Sequence, residues 1–212
     1  MGLSRRLPRH ARRPRVAELS CSLPSVQPQL SFHMIAKILI ALAALVVIVL
    51  IVAAFQPEDF RVERSIVISA PAVLAFEQAN DLHKWQEMSP YAKLDPAAKY
   101  VFTGPSAGVD AAMAWVGNSN VGEGKMTIIE SRPNELVKMR LDFEKPFKST
   151  GTAEFTFKQA GDQTTATWAM TGKKIFITKV MCLFISMDKM VGGQFEEGLA
   201  DLKKLAEARV KK

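Results

Sequence analysis

Residues Ile38 to Phe55 read ILIALAALVVIVLIVAAF, a run with no charged and no polar side chain. At about 1.5 Å per residue such a run spans roughly 27 Å as a helix, close to the hydrocarbon thickness of a bilayer. A core helix of a soluble domain rarely runs this long without a polar face. A cleavable signal peptide is the rival reading, because Val52-Ala53-Ala54 offers small residues to a peptidase. Its apolar core, however, usually covers only about 7–15 residues. Residues 34–55 are therefore read as one transmembrane signal anchor. It separates an N-terminal leader from a single C-terminal domain.

Charge fixes the expected orientation. Arg5, Arg6, Arg9, Arg12, Arg13, Arg15 and Lys37 precede the end of the run against one acid, Glu18, whereas Gln56-Pro57-Glu58-Asp59 comes directly after it. Basic flanks stay cytoplasmic. The sequence thus implies a single-pass protein of the cytoplasmic (inner) membrane, with its N-terminus inside and its domain periplasmic or otherwise extracytoplasmic. Of 28 Lys and Arg, seven lie before residue 56, and of 21 Asp and Glu only one does, so the domain is close to neutral. The pI near 9.5 belongs to the leader and gives no reason to expect a nucleic-acid partner.

Residues 1–33 mix Arg, Pro and Ser and have no apolar periodicity, so they are expected to be disordered. They read as a transit-like peptide, as a contact for anionic lipid, or as an upstream extension, since Met34 begins a complete signal-anchor start of its own. Cys21 lacks a lipobox, and across a membrane it could not pair with Cys182. The domain must then be held by its core rather than by disulfides. Metal-ligand spacing, a Walker loop and a dinucleotide fingerprint are all missing from the sequence, so no metal and no cofactor are expected.

The domain's pattern is that of strands joined by short turns. Phe60, Val62, Ile66 and Ile68 alternate with Arg61, Glu63 and Ser65, the mark of a half-buried strand. Ala72 to Asn80 reads as a short helix with Ser69 as a potential cap, then a helix or turn at Leu82 to Trp85, then an apolar loop to Tyr91. Six strands come next: Lys99–Thr103, Ala111–Val116, Gly122–Ser131, Glu135–Glu144, Thr150–Lys158 and Thr164–Thr171. Short connections between alternating strands imply an antiparallel sheet with one solvated face. Lys173 to Met190 is expected to be helical, with a weak point at Gly192-Gly193. Val191, Phe195, Leu199, Leu202 and Ala206 then form the stripe of an amphipathic helix that needs an apolar partner. The concave face of the sheet is the only partner large enough.

This order gives an α+β, helix-grip architecture: a curved sheet of about seven antiparallel strands around a long C-terminal helix. The segments RSIVISAP, the Trp85–Pro90 loop, TGPSAGVDAAMAWVGN, GEGKMTI, LDFEKPF, TATWAMTG and FEEGLADLKK resemble the START-like/SRPBCC superfamily. The chain is most similar to its membrane-anchored bacterial members labelled polyketide cyclase/dehydrase-like. The resemblance covers about residues 57–208, within a domain read as residues 57–210. Asp110 stands where relatives more often carry a small residue, and Met88 where the position is often aromatic.

The resemblance implies a cavity between sheet and helix. Trp115, Met126, Phe143, Phe155, Trp168 and Met170, with Met181 and Met187 of a Met-rich lid, are candidates to line it, with ordinary core packing as the competing reading. Glu123, between two glycines, and Asp110 are the candidate general acids or bases, with surface turn positions as the competing reading. His83 lies beside Lys84 with no partner for a triad. Three functions remain open: a membrane-tethered binder of a lipid or other hydrophobic small molecule beside the lipid bilayer, a cyclase/dehydrase-like or hydrolytic enzyme, and an interaction domain with a filled core.

Overall fold

The computed structural model describes residues 32–210; the expectations for the leader and Cys21 fall outside them. α1 (Phe32–Ala54) is a helix long and apolar enough, by length and composition, to cross a membrane. The domain begins with β1 (Asp59–Ile68) and three short helices, α2 (Ala72–Asn80), α3 (Leu82–Met88) and α4 (Pro90–Leu94). Then come β2 (Lys99–Thr103), β3 (Ala112–Val116), β4 (Glu123–Arg132), β5 (Leu136–Lys145), β6 (Ser149–Ala160) and β7 (Gln163–Lys173). α5 (Phe176–Met181) and α6 (Met187–Val210) complete it.

The seven strands form one antiparallel sheet in the order β1-β7-β6-β5-β4-β3-β2. Only β1 is displaced from sequence order, because α2–α4 carry the chain to the far edge before β2 begins. Period-2 alternation puts whole rows of side chains on one face. One such row crosses the sheet as Val62, Met170, Ala153, Met139 and Ile128. α6 covers this face with Phe195, Leu199, Leu202 and Ala206, all buried. The sheet is thus curved around a long C-terminal helix, the helix-grip arrangement.

Ion pairs fix α6 along its length. Arg64 of β1 donates to Asp188 and to Glu196, each at 2.7 Å. Lys93 of α4 pairs with Asp201 and Glu197, and Arg209 meets Glu77 of α2 at 2.6 Å. The Asp188 carboxyl is held below its ordinary value, chiefly by the hydrogen bond from Arg64. Two glycines allow the helix to come this close. A Cβ at Gly192 would collide with the Arg64 guanidinium, and one at Gly198 would lie 2.7 Å from Cζ3 of Trp168.

Three local expectations need correction. The weak point of the tail is not Gly192-Gly193, which lies within α6; the chain breaks at Cys182–Ser186, where Ser186 Oγ accepts from Lys189 N at 3.3 Å and starts the new helix. The Trp85–Tyr91 stretch is helical rather than a loop. Asp81 caps α3 by accepting from His83 N at 2.9 Å, and Pro90 opens α4, where its missing N–H costs nothing. Ser69 does not cap α2: Pro71 occupies the cap, and the Ser69 N–H is donated to Glu207 of α6 at 2.7 Å.

Candidate functional site

A cavity of about 270 Å³ lies between the sheet and the first turns of α6. That is many times the roughly 30 Å³ of a water. Its origin can be read along the inner face of β6. Ala153 is small, and Leu141 and Met170 on the neighbouring strands line the hollow with it. Phe155 and Phe157, further along, are buried and close it off.

One wall is aromatic. Trp168 stacks on Phe195 of α6 with ring centroids 4.3 Å apart, and Trp85 meets it edge-on at 5.3 Å. The opposite wall is Trp115, edge-on to Phe143 at 5.8 Å, with its Nε1 donating to Val121 O at 3.3 Å. Such offset and edge-to-face pairs hold the rings in place. All three tryptophans of the chain line the cavity. Met113, Met126 and Met170 supply deformable apolar surface between them.

The polar lining is sparse and mostly neutral. Gln86 Nε2 lies 2.7 Å from Met113 Sδ. Tyr91 and Tyr100 present phenols; burial pushes Tyr91 up to about 12, and burial with the nearby Asp95 charge raises Tyr100, so both hydroxyls stay protonated. The Trp168 Nε1–H is buried without a hydrogen-bond partner. The mouth is framed by the β3–β4 turn (Ser119, Asn120), by Lys145 and Pro146 at the end of β5, and by Val191 of α6. A second, shallower depression of about 570 Å³ lies over Gly151 and Gly172, bordered by Asp59, Arg61 and threonines, and is open to solvent.

Of the residues expected at the site, Trp115, Met126, Phe143, Trp168 and Met170 line the cavity. Phe155 lies beneath it as packed core, at 0% exposure. Met181 is 44% exposed on α5, and Met187 packs on the core at the start of α6, so neither faces the cavity. The methionines of the cavity come from the sheet, because the break at Cys182–Ser186 carries the Met-rich segment away. Glu123 pairs with Lys145 at 2.7 Å at the start of β4. Asp110 is exposed in the β2–β3 connection with φ of 69°. Neither carboxyl lines the cavity. His83 is exposed and stacks on Phe102 at 3.9 Å. Among the described residues no cluster of His, Cys, Asp and Glu could hold a metal ion.

A sheet gripping one long helix, with an apolar hollow between them, defines a helix-grip protein with an internal cavity. Residues 59–207 match the family model described as polyketide cyclase / dehydrase and lipid transport, and the chain belongs to that family. No curated protein sequence matches it significantly. Among solved structures it is similar to the Zhui aromatase/cyclase from Streptomyces sp. R1128, with 15% identity and a TM-score of 0.51 over 72% of this chain and 96% of that one. It is also similar to the di-domain ARO/CYC StfQ of the steffimycin biosynthetic pathway, with 9% identity and a TM-score of 0.54 over 73% and 53% of the two chains. A protein from Nitrosospira multiformis shares 19% identity and a TM-score of 0.51 over 72% and 100%. At these identities the structural likeness is one of fold.

Proposed function

We propose that this protein binds a lipid or another apolar small molecule in the cavity between sheet and α6, while α1 tethers it to the membrane. The observation that carries the reading is the cavity itself: about 270 Å³ walled by Trp, Phe and Met between the sheet and α6. A void of this size argues against a filled-core interaction domain. Its lining holds no carboxylate, histidine or cysteine among the described residues, so the chemistry on offer is enclosure plus a few hydrogen bonds, neutral inside and charged only at Lys145 in the mouth. The family description, which includes lipid transport, supports the same reading. The charge asymmetry around α1 favours an inside N-terminus and an extracytoplasmic domain.

A second reading, a cyclase/dehydrase-like enzyme, has the family description in its favour together with two phenols that stay protonated in the cavity, Tyr91 and Tyr100. Native mass spectrometry of the full chain, released from nanodiscs made with native lipids, tests the binding reading. A discrete apolar mass retained by the protein and ejected intact is expected. A chain that never carries such a mass contradicts the reading, and a mass chemically altered by wild type but not by Tyr91→Phe favours the enzyme.

A further inference from the structure

The strict antiparallel order brings several distant segments to one end of the sheet. β1 begins there, β7 ends there, and β5 turns into β6 there. The β3–β4 turn lies at the same end. This rim therefore carries the cavity mouth, the junction with α1, and α5. The junction is tied down: Lys174 N donates to Glu58 O at 2.7 Å, and Lys179 Nζ donates to the Glu58 carboxylate at 3.1 Å.

The same rim exposes large apolar side chains. Phe184 is 76% exposed, and Phe176, Ile185 and Phe147 are each about half exposed. Soluble surfaces seldom gather such groups without a partner. The chain itself indicates what that partner is. α1 ends at Ala54 and β1 begins at Asp59, a connection that reaches at most ~15 Å when extended. If α1 spans a bilayer, the rim cannot leave its surface.

We propose that this rim docks on the bilayer, with Phe147, Phe176, Phe184 and Ile185 inserted among the lipid headgroups, so that the cavity opens towards lipid. The proposal rests on reading α1 as an anchor. Docking is driven by apolar insertion rather than by charge. The rim lysines are largely matched, Lys145 with Glu123, Lys148 with Glu144, and Lys173 and Lys179 with Glu58. Asp188 is taken by Arg64, and Asp59 stands near Lys173 in register. The apolar stems of the lysines suit the interface while their ammonium groups stay in water. A ligand could then pass between membrane and cavity without crossing water.

The test is nitroxide scanning of the full chain in vesicles of phosphatidylethanolamine and phosphatidylglycerol, with Cys21→Ser and Cys182→Ser as background. Single labels at Phe184→Cys and Phe147→Cys report on the rim, Leu45→Cys on α1, and Val67→Cys on the opposite end of β1. Relaxation by oxygen marks lipid, and relaxation by a water-soluble nickel chelate marks water. Positions 45, 147 and 184 are expected to favour oxygen, and 67 to favour nickel. Rim labels in water with position 45 in lipid would overturn the docking and leave the anchor standing. Position 45 in water would overturn the anchor and the docking with it. Rim labels shielded from both reagents would mean that protein covers the patch, which also overturns the proposal.

Discussion

The two ends of β6 differ in one respect, the size of the residues on its inner face. Gly151 and Ala153 lie towards the rim, and Phe155 and Phe157 lie towards α2. At the far end the interior is solid: Phe157 meets Phe76 of α2 edge-on at 6.2 Å, and Leu82, Leu199 and Leu202 are fully buried. At the rim end the same sheet and the same helix enclose a hollow. Side-chain volume on β6, with the cover that α2 gives the far end, separates a core from a cavity. Stability should reside mainly in the far half, and binding in the rim half.

Truncation gives the largest contrast. Phe155→Ala removes a fully buried ring and should cost about 3–5 kcal/mol, because the packed surroundings cannot collapse onto the void. Phe143→Ala removes a half-buried ring from the cavity wall, next to space that already exists, and should cost less than about half of that. Denaturant unfolding of the two variants measures the difference, and equal losses would break the distinction between the halves.

Acid should loosen both ends of α6, because the Glu207 carboxyl, held low by Lys203, lies at the far end as Asp188 lies at the rim. The Asp188 carboxyl is depressed by Arg64, and Glu58 by Lys179. Stability from a depressed carboxylate is fully present above its unfolded value, near 3.8 for Asp and 4.5 for Glu, and is lost as pH falls through the folded value. Protection against hydrogen exchange, relative to the intrinsic rate at each pH, should therefore fall in the first turns of α6 and in α5 below about pH 4. In Arg64→Met this acid-sensitive component at the first turns of α6 should vanish; an unchanged pH profile there would remove Arg64 from the account.

The smallest effect separates two adjacent glycines. Gly193→Ala meets open space and should stabilise α6 by up to about 1 kcal/mol. Gly192→Ala must displace the Arg64 guanidinium and should lose that gain. Thermal melts of both variants check it, and equal stabilisation would show that Arg64 does not need the space.

Much of this fold is legible in the sequence, because period-2 alternation survives wherever one sheet face is buried. Val137, Met139, Leu141 and Phe143 point inwards in the order the alternation implies. The family-like segments bring the helix-grip topology with them. The breaks are harder to place. The glycine pair in α6 looks like an end, yet its first member, Gly192, leaves room for an arginine 128 positions earlier in the chain. No local pattern reveals such a contact.

The cavity is legible only in part. Trp115, Met126, Phe143, Trp168 and Met170 carry the inward parity of their strands, and that signal reaches the site. Tyr91, Tyr100, Val191 and Phe195 come from a helix, an edge strand and the α6 stripe. Their convergence depends on how α4 and α6 pack. A methionine-rich segment points to Met181 and Met187, but composition does not say on which side of a turn a residue will fall.

All three tryptophans line the cavity, so intrinsic fluorescence of the full chain reports its occupancy. The central claim is tested most directly by titrating the protein in nanodiscs with a brominated medium-chain fatty acid, against its unbrominated parent. Wild type is expected to show saturable quenching that the parent acid displaces. Ala153→Phe, which fills the hollow, and Leu141→Phe, which narrows it from a more tolerant position, should weaken that quenching at least tenfold while circular dichroism stays unchanged. Quenching that never saturates, or that is the same in wild type and both filled variants, would contradict a binding cavity.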